Sequence, residues 1–198
     1  DAGGKVCRDN NATVRERVGK LDFEFVAGEF FQNNPFILPE FVEYGVNEAA
    51  GSKYLVDAYC GVGMFALSAA DRFEKVAGVE VSEKAIRCAK RNAEINGITN
   101  CEFLAGKAEN IFAQAAEKFS GSETSVIIDP PRSGCDESFL EQLAKFAPKK
   151  IVYVSCGPDT QARDIAILAR YGYKLQKLQP FDLFPQTRHI ECVATLTA

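Results

Sequence analysis

Hydrophobic and polar residues alternate along this chain in short blocks, and the blocks set out a succession of strands and helices. Leu21-Asp22-Phe23-Glu24-Phe25 switches character at every residue, the period of a half-buried strand. Phe30-Phe31-Gln32-Asn33-Asn34-Pro35 reads as a turn. A helix is predicted from about Pro39 to Ala50, with Pro39 suited to its first turn. Short apolar runs then begin near Tyr54, Val76, Cys101, Ser125 and Lys150, each followed by a helical stretch. The helix after the Val76 run has a start signal, Ser82 as cap and Glu83 at the positive end, and a stop near Asn96-Gly97. Strand–helix alternation of this kind builds a mostly parallel sheet covered on both faces. After a helix near Gln161–Ala169 the rhythm changes. Tyr173–Phe181 and His189–Leu196 are strands joined by Asp182-Leu183-Phe184-Pro185-Gln186-Thr187, too short for a crossover helix, so they pair antiparallel. The predicted fold class is α/β: a doubly wound sheet closed by a C-terminal antiparallel hairpin. Residues 1–20 are polar and glycine-containing and are predicted to be a loose lead-in from an upstream region, with residues 21–198 as one domain.

Composition narrows the picture. With 46% hydrophobic and 25% charged residues, the 198-residue chain is ordinary for one globular domain. No apolar run is long enough for a membrane helix, and Asp1-Ala2-Gly3-Gly4-Lys5 resembles neither a signal peptide nor a natural start. The seven cysteines (Cys7, Cys60, Cys88, Cys101, Cys135, Cys156 and Cys192) include no C-x-x-C pair, which argues against a disulfide framework or a closed metal site. A single histidine, His189, excludes a multi-histidine metal site. Reduced thiols fit an intracellular location, cytoplasmic or nuclear. A net charge of −4 is not that of a free-standing nucleic-acid binder, although Arg132, Lys149, Lys150, Arg163 and Arg188 all fall near the candidate edge. Of these, Arg132 and Arg188 are embedded in motif loops.

Three loops follow buried strands, where α/β enzymes carry their reacting groups. Asp57-Ala58-Tyr59-Cys60-Gly61-Val62-Gly63 turns sharply and offers backbone N–H groups to a ligand. It lacks the third glycine of a dinucleotide fingerprint and the lysine of a phosphate loop. Glu80, at the end of the next strand, can accept both hydroxyls of a ribose. Together they predict a site of the S-adenosyl-L-methionine type, with Gly61, Gly63 and Glu80 as cofactor ligands and no metal. Asp129-Pro130-Pro131-Arg132 is stiffened by its prolines, so Asp129 can accept from a base edge while Arg132 touches phosphate or a carbonyl oxygen. In amino-methyltransferases a similar loop ends in an aromatic residue, and Arg132 in that place argues against methylation of an exocyclic nitrogen.

Ser155-Cys156-Gly157-Pro158 puts a thiol just ahead of a helix whose positive end is predicted to favour the thiolate. Carbon 5 of a pyrimidine is a poor nucleophile, and thiolate addition at C6 makes it enolate-like, able to take a methyl group. The C5 proton must then leave to a base, and Glu191 in His189-Ile190-Glu191 is the candidate. A cytosine-5 methyltransferase uses the same thiolate logic, and a SAM-binding RNA chaperone is the alternative outside catalysis.

From about Phe23 to Leu196 these motifs, in this order, resemble the RNA uracil-5-methyltransferase family, most closely the branch that modifies the T-loop uridine of tRNA. The resemblance implies the class I SAM-methyltransferase fold, with RNA, and tRNA in particular, as substrate. A monomer is expected. It further implies that Gln32, in Phe30-Phe31-Gln32-Asn33, and Tyr59 touch the cofactor, that Glu80 binds its ribose, and that Asp129 binds cofactor or target base. Cys156 takes the family's nucleophile position and Glu191 that of its base. Two residues depart from the pattern: Gly157 stands where the family usually has Asn, and Met64 where some members carry a cofactor-contacting Asn. Family members also carry RNA-binding domains upstream, so the sequence reads as a catalytic domain.

Overall fold

The computed structural model describes residues 9, 12–32, 34–106, 112 and 118–198. Strands β1 (Thr13–Val18) and β2 (Leu21–Val26) form an antiparallel hairpin. Helix α1 (Leu38–Ala49) follows, with Pro39 in its first turn. Then come β3 (Tyr54–Ala58), α2 (Met64–Ser68), β4 (Lys75–Glu80), α3 (Glu83–Ile95) and β5 (Cys101–Ala105). The second half runs β6 (Thr124–Ile128), α4 (Glu137–Phe146), β7 (Lys150–Ser155), α5 (Pro158–Arg170), β8 (Lys174–Phe181) and β9 (Glu191–Thr197).

Seven strands make one sheet in the order β5-β4-β3-β6-β7-β9-β8. β3 through β7 are parallel, and β9 runs antiparallel to both β7 and β8. The order reverses between β3 and β6, the switch point at which an open α/β sheet leaves a crevice. Central strands with both faces covered must be apolar throughout, and Val126-Ile127-Ile128 and Ile151-Val152-Tyr153-Val154 are fully buried.

One face is covered by α1, α2, α3 and the hairpin, with Phe23, Phe41, Phe65 and Phe103 at its centre. The other is covered by α4 and α5, which pack Phe139, Leu140, Leu143 and Leu168 onto Val126, Ile128, Ile151 and Tyr153. Each such side chain contributes roughly 1.5–3 kcal/mol when fully buried. Helix α3 starts as its sequence predicts: the Ser82 hydroxyl accepts from the Ala85 amide at 3.2 Å. Asn92, fully buried on α3, ties the hairpin to the glycine loop. Its Oδ1 accepts from the Glu24 amide at 2.7 Å, and its Nδ2 donates to the carbonyls of Glu24 and Val62, both at 3.1 Å.

The α/β sheet with its closing hairpin agrees with the sequence reading. Residues 13–18, read as part of a loose lead-in, are instead a strand. It is exposed at five of six positions and owes its conformation to pairing with β2 rather than to burial. The rest of that lead-in (1–8, 10 and 11), Cys7, Asn33 and most of the helical stretch expected after β5 lie outside the described residues. Among the described residues no helix is long and apolar enough to cross a membrane.

Candidate active site

Strand register brings the motif loops to one level. Ala58 pairs with Val79 on one side and Ile128 on the other, so Tyr59, Glu80 and Asp129 come next on three adjacent strands. A cavity of about 550 Å³ opens there. Its wall includes Gln32, Tyr59, Gly61, Met64, Glu80, Asp129, Arg132, Cys156 and Glu191.

On the glycine side, Tyr59, Gly61 and Gly63 all have left-handed backbone, with φ of 66°, 53° and 86°. Tyr59, which has a Cβ, carries strain there, and its ring sits edge-on to Phe139 at 5.4 Å. A Cβ added to Gly61 would meet nothing within 4 Å, so ligand atoms can approach its backbone. Gly63 differs. It does not line the cavity but caps α2, and a Cβ there would fall 3.0 Å from the Phe103 ring. Gly61 thus faces the cavity, whereas Gly63 packs against Phe103.

Glu80 accepts from the Gly61 amide at 3.2 Å and from the Ser82 amide at 3.0 Å, which steadies a carboxylate on the cavity wall. Gln32 is buried on the same wall, and its Oε1 has no hydrogen-bond partner among the described residues. An orphaned buried acceptor is costly unless a donor reaches it. With Glu80 and the open face of Gly61, it fits a ligand bearing amine and hydroxyl groups, as an amino-acid nucleoside does. Beneath the loop, Asp57 accepts from the Ala66 amide at 2.9 Å. Burial pushes its carboxyl up to about 7 against that hydrogen bond, and Glu80 adds to the rise.

On the reacting side, Ser155 of β7 pairs with Cys192 of β9. Because the strands are antiparallel, Cys156 and Glu191 leave the sheet side by side. Glu191 is buried, and burial pushes its carboxyl from 4.5 up to about 7. Asp129 is pushed up by burial, then by Glu191 and Asp57. The Cys156 thiol is half-buried and is also pushed up, by burial first and then by Glu191 and Asp129; Arg132 works in the opposite direction. This corrects the sequence-based expectation that the helix end favours the thiolate. Desolvation and the two nearby acidic groups outweigh a backbone hydrogen bond and Arg132.

Residues that sequence reasoning missed hold this edge together. Gln161 of α5, 2% exposed, donates to the Tyr153 carbonyl at 2.9 Å and the Cys192 carbonyl at 3.2 Å. It thereby ties the strand that ends at the thiol to the strand that begins at Glu191. Thr160 shares its one hydroxyl proton between the Arg132 carbonyl at 3.0 Å and the Gly157 carbonyl at 2.9 Å. A Cβ at position 157 would fall 2.8 Å from Thr160 Oγ1 and 2.9 Å from the Arg132 carbonyl. Glycine here lets two loops meet backbone to backbone. A signal for Gln161 was available, because Gln161, Asp164 and Leu168 occupy one inward stripe of α5 and polar residues there need polar partners, but nothing in the sequence marks Thr160.

Four of the five cations proposed for this edge lie elsewhere. Lys149 and Lys150 flank the start of β7, at the opposite end of the sheet, and cap carbonyls of Gly51, Glu48 and Ala50. Arg163 pairs with Asp164 outside the cavity wall, and Arg188 is exposed in the β8–β9 loop, also outside it. Only Arg132 reaches the wall.

Residues 8–198 match the family model described as tRNA (Uracil-5-)-methyltransferase. A tRNA (uracil(54)-C(5))-methyltransferase of Schizosaccharomyces pombe is 44% identical over 98% of this chain. One of Saccharomyces cerevisiae is 41% identical over 97%. The chain spans 39% and 32% of the length of these two relatives. The structure is similar to that of Pyrococcus abyssi tRNA (uracil-54, C5)-methyltransferase in complex with S-adenosyl-L-homocysteine. That similarity has a TM-score of 0.81 at 34% identity, and covers 93% of this chain and 44% of that one.

Proposed function

The chain belongs to the tRNA (uracil-5-)-methyltransferase family, and from that premise we propose that it methylates carbon 5 of a uridine in tRNA, with S-adenosyl-L-methionine as donor, Cys156 as nucleophile and Glu191 as base. The observation that carries this reading is the register of β7 on β9, which sets Cys156 beside Glu191 at a cavity wall shared with Asp129, Arg132 and Glu80.

S-adenosyl-L-methionine supplies an electrophilic methyl group. Gln32, Tyr59, Gly61 and Glu80 would hold it: Gln32 through its orphaned carbonyl oxygen, Glu80 through a carboxylate already oriented by two amides. The target uridine swings out of its loop into the cavity, a step costing a few kcal/mol. Asp129, pushed up toward its protonated form, can donate to the base as well as accept, and Arg132 steadies a carbonyl oxygen or a phosphate.

The Cys156 sulfur, its proton released to solvent, bonds to C6, and the C5–C6 π electrons move toward the carbonyl oxygen at C4. C5 would then take the methyl group that bound S-adenosyl-L-methionine supplies, the sulfur–methyl bond breaking to leave the uncharged S-adenosyl-L-homocysteine. Glu191 removes the C5 proton, the C5–C6 double bond re-forms, and the bond from sulfur to C6 breaks. Burial, with Glu191 and Asp129 beside it, pushes the Cys156 thiol up, so the resting site favours the protonated thiol. A buried carboxyl near 7 is well matched to taking a proton at physiological pH.

The test is transfer of labelled methyl to an unmodified tRNA transcript, with mass spectrometry of the nucleosides. The expected product is 5-methyluridine; 5-methylcytidine would replace this reading with its cytosine counterpart. Cys156→Ala is expected to abolish turnover while S-adenosylhomocysteine still binds, and normal turnover by that variant would overturn the nucleophile assignment.

A further inference from the structure

Two residues of α5 that take no part in this chemistry grip the loop that carries Asp129 and Arg132. Asp164 is fully buried. Its Oδ2 accepts from the Cys135 amide and from the Tyr153 hydroxyl, both at 2.7 Å, and its Oδ1 accepts from Arg163 Nε at 2.8 Å. Arg163 in turn donates through Nη2 to the Ser133 carbonyl at 3.1 Å and the Cys135 carbonyl at 3.2 Å. Three backbone groups of one short turn therefore end on a single ion pair.

The turn is moulded to the pair. A Cβ added to Gly134 would fall 2.6 Å from Arg163 Nη2 and 2.7 Å from Asp164 Oδ2. A few residues earlier, Thr160 of the same helix holds the Arg132 carbonyl. The loop is thus fastened to α5 on both sides of Ser133, and α5 begins two residues after Cys156. Burying a carboxylate is unfavourable unless its lone pairs are used, and here they are shared among the loop amide of Cys135, the core hydroxyl of Tyr153 and Arg163, which itself reaches back to the loop.

We infer that Arg163 and Asp164 form a positioning clamp that holds the Asp129–Cys135 loop so that Arg132 meets the RNA in one geometry above Cys156. The inference rests on the proposed reading of the cavity as a uridine site. Arg163 and Asp164 are positioning residues, because they act through Arg132 and touch no reacting atom. The clamp sets specificity through pre-organisation: a loosened loop still offers a guanidinium, but in many orientations.

The side chain of Arg163 is 51% exposed, so Arg163→Gln is a variant expected to fold. Steady-state methyl transfer to an unmodified tRNA transcript is measured for the wild type, Arg163→Gln, Arg132→Ala and the double variant. Arg163→Gln is expected to lower kcat/KM for tRNA about tenfold, chiefly through KM, with S-adenosylhomocysteine affinity changed by less than about twofold. In the Arg132→Ala background the same change is expected to add less than about a twofold loss, and Arg163→Lys to recover part of the wild-type value. Equal losses in both backgrounds, or no loss in either, would overturn the clamp.

Hydrogen exchange supplies a second readout. Peptides covering residues 129–135 are expected to exchange faster in Arg163→Gln while those covering 54–63 do not change. Uniform loosening, or an unchanged 129–135 segment, would also overturn it. These outcomes are separable from failure of the functional reading. If Cys156→Ala keeps turnover, the coupling between 132 and 163 is still readable; if tRNA is no substrate, the exchange data still decide.

Discussion

Replacing Glu191 with Gln separates what this residue does for the reaction from what it costs the fold. Its carboxyl rises from 4.5 to about 7 because burial disfavours the charged form. Between those values the folded protein keeps a proton that the unfolded chain has released. Stability from this group is therefore fully present below 4.5 and is lost as pH rises through about 7. The full difference corresponds to roughly 3 kcal/mol. Asp129 beside it is pushed up partly by the Glu191 charge, so removing that charge relieves both groups. A buried amide must find its own partners, at a cost of about 1 kcal/mol. The net expectation is that Glu191→Gln gains about 1–3 kcal/mol near pH 8 and loses about 1 kcal/mol near pH 4, where only the cost of the amide remains. For a chain of 198 residues the gain is a rise of roughly 2–12 °C in Tm at the higher pH. Thermal unfolding followed by circular dichroism across this range reads it directly. On the proposed mechanism the same variant attacks C6 but stalls at proton removal, so a covalent RNA–protein adduct should survive on a denaturing gel. A Tm difference independent of pH, or a variant less stable than wild type near pH 8, would refute the electrostatic reasoning.

Other predictions concern glycines whose surroundings differ. Gly63→Ala sets a methyl group against the Phe103 ring in a left-handed backbone and is expected to lose roughly 1–3 kcal/mol in urea denaturation. Gly61→Ala, with open space around it, is expected to lose about 1 kcal/mol of stability yet weaken S-adenosylhomocysteine binding roughly tenfold by calorimetry; the opposite ranking would refute the division of roles between them. Gly157→Ala would press on Thr160 and the Arg132 carbonyl and is expected to cut kcat roughly tenfold or more. Unchanged kcat would mean that the close approach of the two loops does not matter for turnover.

Most of the architecture was legible because the parallel strands advertise themselves. Val126-Ile127-Ile128 and Ile151-Val152-Tyr153-Val154 are too apolar to be exposed, and turn residues mark where each strand ends. Strand β1 was not legible, since Thr13-Val14-Arg15-Glu16-Arg17-Val18 carries little apolar signal and gains its partner only in the hairpin. Tyr59, Glu80, Asp129 and Cys156 were legible because loops that follow the carboxyl ends of parallel strands line the crevice, whereas Gln32 was named only through the family resemblance and Glu191 stands at the amino end of β9. The same rule, applied without strand direction, misplaced Lys149 and Lys150, which flank the amino end of β7. The state of the Cys156 thiol was misjudged for a different reason. A helix end is a local feature, whereas the carboxylates that oppose it arrive from β6 and β9, far away in sequence. Thr160, Gln161 and Asp164 escaped notice likewise, because their partners exist only once α5 has docked.

The wedge position of β9 has a consequence for how this site comes into being during synthesis. β9 follows every other strand of the sheet in the sequence, yet it inserts between β7 and β8. A nascent chain that has emerged from the ribosome only as far as β8 can assemble the parallel strands, but it leaves β7 with an open edge and Cys156 without Glu191. The thiol and the carboxylate become neighbours in a single closing event, so a translation product that stops short of β9 lacks the carboxylate that the proposed mechanism uses for proton removal.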